Sequence, residues 1–317
     1  MPLLRIFVTG ANGFLGRATC EAFVQRGHHV IAGVRSPGKA QGVKCAEVFA
    51  SGVSLFDPSA GRVLAGCDAV VHCAGWNGSS ARYDSNAALT AESTLLTRQL
   101  CERAAACGVP HFVLLSSIKA VAAKTTGKAL TEDAIPHPSD DYGRAKRAAE
   151  ESVLSITGLS RTILRPPAIY GPGMTGGFAT LFRLAARGVP VPIRGIANRR
   201  DFLALPSLAD LLVRCVEAGG ASNAGVRILH ARDGSPISTA NLYERMGRAL
   251  DKRARIYTLP STVLQLALSL PGHGSKAQSL LQSLEIDDTL SRQILQWEPS
   301  HTMDDVLRMT AKWISKS

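Results

Sequence analysis

The chain is poor in aromatic residues, at 5% of its 317 positions, and its seven cysteines (20, 45, 67, 73, 101, 107 and 215) contain no C-x-x-C pair. An odd, scattered set excludes a disulfide scaffold, offers no ligand spacing for a structural metal, and fits a reducing compartment. No uncharged apolar run approaches the roughly 20 residues that span a bilayer. Met1-Pro2-Leu3-Leu4-Arg5 leaves no room for a signal peptide before folded-looking sequence, so a soluble, cytoplasmic protein is expected. Repeats, low-complexity tracts and heptads are missing as well. Acidic residues are the scarcer charge, 25 Asp+Glu against 36 Lys+Arg, for a net +11. That excess favours anionic partners such as nucleotides and phosphosugars. With no nucleic-acid-binding module in the sequence, it does not argue for nucleic acid.

What is present is a core-forming chain, 45% hydrophobic, in which short apolar runs alternate with helix-like stretches. Strands are expected at Leu4–Thr9, His29–Val34, Cys67–Cys73, Phe112–Leu115, Thr162–Leu164 and Arg227–His230. Helices are expected at Gly16–Arg26, Ala88–Cys107, Tyr142–Ile156, Phe178–Arg187 and Leu208–Ala218. Alternation of this kind implies right-handed βαβ units and a parallel sheet covered on both faces. The expected fold is α/β: a Rossmann-type doubly wound parallel sheet with a smaller, mostly helical C-terminal substrate domain. Residues 1–170 are assigned to the dinucleotide-binding domain, with 200–231 returning to it, and 171–199 and 232–317 to the substrate domain.

Between the first strand and first helix stands Val8-Thr9-Gly10-Ala11-Asn12-Gly13-Phe14-Leu15-Gly16. Glycines at 10, 13 and 16 allow a tight turn, close approach of backbone amides to a pyrophosphate, and tight helix–strand packing. The helix N-terminus adds partial positive charge, so this loop is assigned to a dinucleotide. At the end of the second strand, where an NAD site wants an acid for the ribose 2′-hydroxyl, the chain has Gly33-Val34-Arg35-Ser36. Arg35 suits a 2′-phosphate, so NAD or NADP remains open.

Tyr142-Gly143-Arg144-Ala145-Lys146 places a phenol and an ammonium four apart, on one helix face. A cation near the phenol favours the phenolate, so Tyr142 is the candidate proton carrier for a substrate oxygen while hydride moves to or from a nicotinamide. Lys146 is also placed to bond the nicotinamide ribose. Ser116 and Ser117 follow the buried run Phe112–Leu115, at the carboxyl end of a strand where open α/β sheets hold ligands.

The G-x-x-G-x-x-G spacing, with TGANGFLG, resembles the extended branch of the short-chain dehydrogenases/reductases, in the NAD-dependent epimerase/dehydratase family. The resemblance implies an adenine contact from Asp57 in LFDP and a cofactor-lining segment at His72-Cys73-Ala74-Gly75. It selects Ser117 as the donor that polarises the reacting oxygen, with Ser116 beside the cofactor. Leu164-Arg165-Pro166-Pro167-Ala168-Ile169-Tyr170-Gly171-Pro172-Gly173 resembles the family's LRPPxxYGPG segment, which implies that Pro166 borders the nicotinamide. Asn198-Arg199-Arg200-Asp201-Phe202 resembles the stretch whose arginine, here Arg200, contacts a UDP-sugar diphosphate, and Gly177 stands where relatives carry an asparagine facing UDP. Ile118-Lys119 replaces the Asp-Glu pair of sugar dehydratases, which argues against dehydration. A homodimer is common in the family.

The resemblance therefore implies a nucleotide-sugar enzyme, like UDP-glucose 4-epimerases, moving hydride at carbon 4 of a UDP-hexose. Three alternatives stand beside it: an NAD(P)H-dependent 4-ketoreductase of a UDP-4-keto-6-deoxy sugar, a reductase of another ketone or aldehyde, and a dinucleotide sensor without catalysis. Gly177 and the apolar stretch Val263–Leu270 motivate the second of these. Retention of Ser117, Tyr142 and Lys146 argues against the third.

Overall fold

The computed structural model describes residues 2–50, 58–75, 86–219, 225–259 and 281–315. Its first half alternates β1 (Arg5–Thr9), α1 (Phe14–Gln25), β2 (His29–Val34), β3 (Glu47–Ala50), α2 (Pro58–Leu64), β4 (Ala69–His72), α3 (Asn86–Ala106), β5 (His111–Leu115), α4 (Asp141–Leu154) and β6 (Ser160–Arg165). There follow β7 (Ala168–Tyr170), α5 (Gly176–Ala186), β8 (Phe202–Ala204), α6 (Leu205–Glu217), β9 (Val226–His230), α7 (Thr239–Ala249), α8 (Thr289–Leu295) and α9 (Met303–Ile314).

Seven strands form one sheet in the order β3-β2-β1-β4-β5-β6-β9, parallel throughout. Strand order reverses where β1 lies between β2 and β4, which opens a crevice at the carboxyl ends of those strands. Alternate residues of the central strands feed two cores. Val8, Val30, Val71 and Val113 pack with α1 and α6 through Phe23, Leu208 and Leu212. Phe7, Ile31, Val70 and Phe112 pack with α3 and α4 through Leu100, Ala104 and Val153. Both faces are covered, which is why these strands read as unbroken apolar runs.

A third cluster gathers Tyr170, Phe178, Phe182, Phe202, Leu242, Tyr243, Met246, Val306 and Leu307 from β7, α5, β8, α7 and α9. Phe178 stacks on Tyr170 at 5.2 Å between ring centroids and meets Phe202 edge-on at 5.7 Å. β7 and β8 form a separate two-stranded parallel ribbon. β3, β7 and β8 lie outside the strands expected from sequence. β3 is an edge strand whose Glu47 and Val48 are exposed, so it lacks the apolar signature of the buried strands. β7 and β8 have three residues each, too few to show a period. All seven cysteines are free thiols, and among the described residues no helix is long and apolar enough to cross a membrane.

Candidate active site

The glycine loop is built from contacts that exclude side chains. Gly10 has φ +65°, and a Cβ there would stand 2.8 Å from the Ala74 backbone; one at Gly16 would stand 2.1 Å from the Gly10 carbonyl oxygen. Helix α1 starts at Gly13 with no capping side chain and no acid in its first turn. Its leading amides and partial positive charge are left for an anion. Phe14 reaches across to the loop after β7, where a Cβ on Gly173 would meet its ring at 3.5 Å. Asn12 and Leu15 present their carbonyls to Arg17 and Thr19 at 3.1 and 2.8 Å.

Opposite the loop, the end of β4 is held by a directional chain of hydrogen bonds. Thr97 donates to the Ser93 carbonyl at 2.9 Å, so its oxygen accepts from His72 Nε2–H at 3.1 Å. His72 Nδ1 then accepts from Thr9 at 2.7 Å, and the Thr9 oxygen accepts from the Ala74 amide at 3.4 Å. Burial pushes His72 down to about 3, so the ring is neutral and fixes Ala74 and Gly75 without carrying charge. The neighbouring Cys73 thiol is pushed up to about 11, also by burial.

The three expected catalytic side chains come together. The Ser117 hydroxyl lies near enough to the Tyr142 phenol to favour its phenolate form. Lys146 Nζ lies 6.0 Å from the Tyr142 ring centroid and donates to the Leu115 carbonyl at 2.9 Å. It also borders Gly75, where a Cβ would be 3.1 Å from Nζ. Local structure explains the meeting. Asp140 caps α4 by accepting from the Gly143 amide at 2.7 Å, and its second oxygen pairs with Lys119 Nζ at 2.6 Å. Ser117 in turn caps the short 3-10 turn Ile118–Ala120, accepting from the Lys119 amide. Because Gly143 has no side chain, the α4 backbone closes on this turn, where a Cβ would stand 2.3 Å from the Lys119 carbonyl oxygen.

Burial dominates the electrostatics. It pushes the Tyr142 phenol up, outweighing the Ser117 hydrogen bond that favours the phenolate. It also pulls Lys146 down to about 8. The expectation that Lys146 makes the phenol acidic is therefore not met in this state. Tyr142 carries its proton, and desolvation is the reason.

The profile of the NAD dependent epimerase/dehydratase family matches residues 6–227. The chain belongs to that family. A UDP-glucose 4-epimerase of Vibrio cholerae is 28% identical over 97% of this chain and 94% of that protein. Two solved structures share the fold: UDP-N-acetylglucosamine 4-epimerase from Bacillus cereus (TM-score 0.78, 20% identity, 98% of each chain) and MoeE5 in complex with UDP-glucuronic acid and NAD (TM-score 0.77, 21% identity, 98% of this chain and 99% of that one). The chain is thus an NAD(P)-dependent enzyme of the extended short-chain dehydrogenase/reductase class. Its glycine loop, bare α1 N-terminus and Ala74–Gly75 edge fit the dinucleotide that the family uses.

Ser116 points away from Ser117: its hydroxyl donates to Glu150 at 2.5 Å, inside the protein. Pro166 is buried and accepts the Ile118 amide at 2.9 Å, so it abuts the serine turn. Arg35 is exposed just past β2, and Asp57 lies outside the described residues, as does Val263–Leu270. Gly177 sits in the first turn of α5, which has no side-chain cap. Arg200 forms isolated bridges with Ile237 and Leu284. It is buried, and its Nη1 donates to the Gln282 carbonyl at 2.7 Å. Arg199 is exposed and pairs with Glu285 at 2.9 Å. Sequence reasoning missed Glu150, and it named His72 only as part of the cofactor-lining segment, not as the link between Thr9 and Thr97. Glu150 had a readable signal: a carboxylate eight residues past Tyr142, on the face that buries Ala145, Ala149 and Val153.

Proposed function

We propose that the protein moves hydride at carbon 4 of a UDP-hexose, as a UDP-glucose 4-epimerase-like enzyme. The observation that carries this reading is the gathering of Ser117, Tyr142 and Lys146 at the end of β5, with Lys146 Nζ 6.0 Å from the Tyr142 ring centroid and bonded to the Leu115 carbonyl. A dinucleotide held by its pyrophosphate at the glycine loop would supply, in its nicotinamide, the acceptor and donor of hydride. The chain's own groups handle the proton. Tyr142 holds or takes a proton at its phenolic oxygen, Ser117 donates a hydrogen bond to the reacting substrate oxygen, and Lys146 keeps positive charge beside both. The 28%-identical Vibrio cholerae epimerase and the UDP ligand of the MoeE5 structure support the nucleotide-sugar class. Arg200 is assigned to the diphosphate as a desolvated cation, which strengthens pairing with phosphate. Gly177 is assigned to the nucleotide end of the substrate, and a cytoplasmic enzyme acting as a homodimer is the setting we propose.

A second reading, the 4-ketoreductase, is favoured by the cations at the end of β2. Arg35 follows the strand with no acid beside it, and Arg17 reaches the same loop through the Gln41 carbonyl at 3.0 Å. Such a pair suits the extra phosphate of NADPH, and an exchanging NADPH suits net reduction. Heat-denaturing the purified protein and identifying the released dinucleotide separates the two. Retained NAD, with conversion of UDP-glucose to its 4-epimer by proton NMR, supports the epimerase. An empty site that binds NADPH and turns over only a 4-keto sugar supports the reductase. Failure of every UDP-hexose and 4-keto sugar overturns both.

A further inference from the structure

Behind the trio, Glu150 is fully buried and joins three elements that carry the active site. It stands on α4, one turn beyond Lys146 and two beyond Tyr142. One carboxylate oxygen accepts from Ser116 at 2.5 Å and from Arg165 Nε at 2.9 Å; the other accepts from Arg165 Nη2 at 2.8 Å and Arg147 Nη1 at 3.4 Å. Ser116 precedes Ser117 at the end of β5. Arg165, the last residue of β6, precedes Pro166, whose carbonyl accepts the Ile118 amide at 2.9 Å. A two-pronged guanidinium–carboxylate pair is geometrically demanding, so this contact sets the height of α4 against the ends of β5 and β6. We propose that Glu150 is a positioning residue of the hydride-transfer site, acting through Ser116 and Arg165 on Ser117 and through its charge on Lys146. The inference rests on the reading of Tyr142, Ser117 and Lys146 given above.

The charge argument follows from what faces Lys146. From its own helix come Tyr142, which carries its proton, and Glu150. From β4 come His72, neutral because burial lowers it to about 3, and Cys73, uncharged because burial raises it to about 11. Arg165 from β6 and Arg147 from α4 stand behind Glu150. Burial lowers Lys146 to about 8, and Cys73 first and Glu150 second act against it; because the Cys73 thiol holds its proton, Glu150 is the carboxylate that favours the ammonium. Removing that charge and leaving the guanidinium of Arg165 makes the ammonium easier to deprotonate.

The test reads Lys146 directly, by NMR titration of lysine Nζ and Cε in the full-length protein without substrate, with Lys146→Met to assign the signal. Glu150→Gln is expected to lower the Lys146 midpoint by on the order of one pH unit, and Glu150→Asp to restore part of it. If Glu150→Gln fails to fold, the paired Glu150→Leu/Arg165→Leu variant replaces both charges with apolar groups, which buried pairs commonly tolerate. A smaller downward shift is expected there. In turnover assays, Ser116→Ala is expected to lower kcat roughly tenfold with dinucleotide KM within about threefold. An unmoved lysine midpoint in the folded Glu150 variants overturns the proposal, as does wild-type kcat in Ser116→Ala. If the wild type turns over no sugar, the hydride-transfer reading falls, while the substrate-free titration still decides the role of Glu150.

Discussion

At the scale of single residues, the site is governed by desolvation more than by pairing. Tyr142 keeps its proton although Ser117 and Lys146 are both at hand. Replacing its hydroxyl is expected to remove the proton carrier and little else. Tyr142→Phe should lower turnover by about 10² to 10⁴ while dinucleotide affinity by fluorescence titration stays within about threefold; equal turnover contradicts the assignment. Away from the site, Asp233 accepts from the Tyr170 hydroxyl at 2.8 Å and the Ala204 amide at 2.6 Å, yet burial raises it to about 6. A carboxyl whose folded value lies above its unfolded value of about 3.9 binds its proton more tightly when folded. Its stabilising contribution is full below that unfolded value and is lost as pH rises to about 6. Comparing melting temperatures at about pH 4 and about pH 7, the wild type should lose ground to Asp233→Asn at the higher pH. A pH-independent difference would mean that Asp233 does not titrate there. Tyr142, Lys146 and the two serines were legible because their chemistry is unusual in a fixed order. Asp233 was not, since a buried carboxylate is defined by partners remote in sequence; Glu150 showed its place on the buried face of α4 but not its partners, Ser116 being thirty-four residues away.

At the scale of elements, the catalytic geometry depends on how closely two backbones approach. The N-terminus of α4 rests on the turn after β5, and Gly143 is the residue that permits it. Adding one methyl, as Gly143→Ala, must push the turn and helix apart, and overpacking of this kind costs about 1 to 3 kcal/mol. Turnover is expected to fall more than tenfold, with a lowered melting temperature and retained dinucleotide binding. Gly10→Ala should show the converse: it strains a positive-φ position and collides with Ala74, so dinucleotide affinity falls first. Isothermal titration with the dinucleotide distinguishes the two, and an unchanged affinity in Gly10→Ala would contradict the loop's role. The strands β1, β2, β4, β5 and β6 could be read from sequence because both faces of each are buried or nearly so, and the edge strand β9 by its apolar Ile228 and Leu229. The edge strand β3 and the ribbon β7–β8 could not, being short and set by tertiary contacts such as the stacking of Phe178 on Tyr170.

At the scale of the whole molecule, the parallel sheet brings the glycine loop, the Ala74–Gly75 edge and the serine turn to one end. The third apolar cluster forms beside it, with Phe14 of α1 packed against that cluster. The family and the fold were legible from motif order alone; the cofactor's phosphate and the sugar were not, because Arg35 and Arg200 are charged groups whose partner is a ligand. Arg35→Ala provides a check on the second reading: NADPH affinity should weaken at least tenfold with NADH affinity unchanged, and equal effects on both would remove the 2′-phosphate from its role. The central claim, that Tyr142 exchanges a proton with the oxygen whose carbon exchanges hydride, is tested most directly by mixing dinucleotide-loaded protein with a panel of UDP-hexoses and following the absorbance of reduced nicotinamide. The account predicts a transient signal with one or more UDP-hexoses in the wild type and its loss in Tyr142→Phe. A signal of equal rate and size in Tyr142→Phe, or none with any UDP-hexose in the wild type, would contradict it.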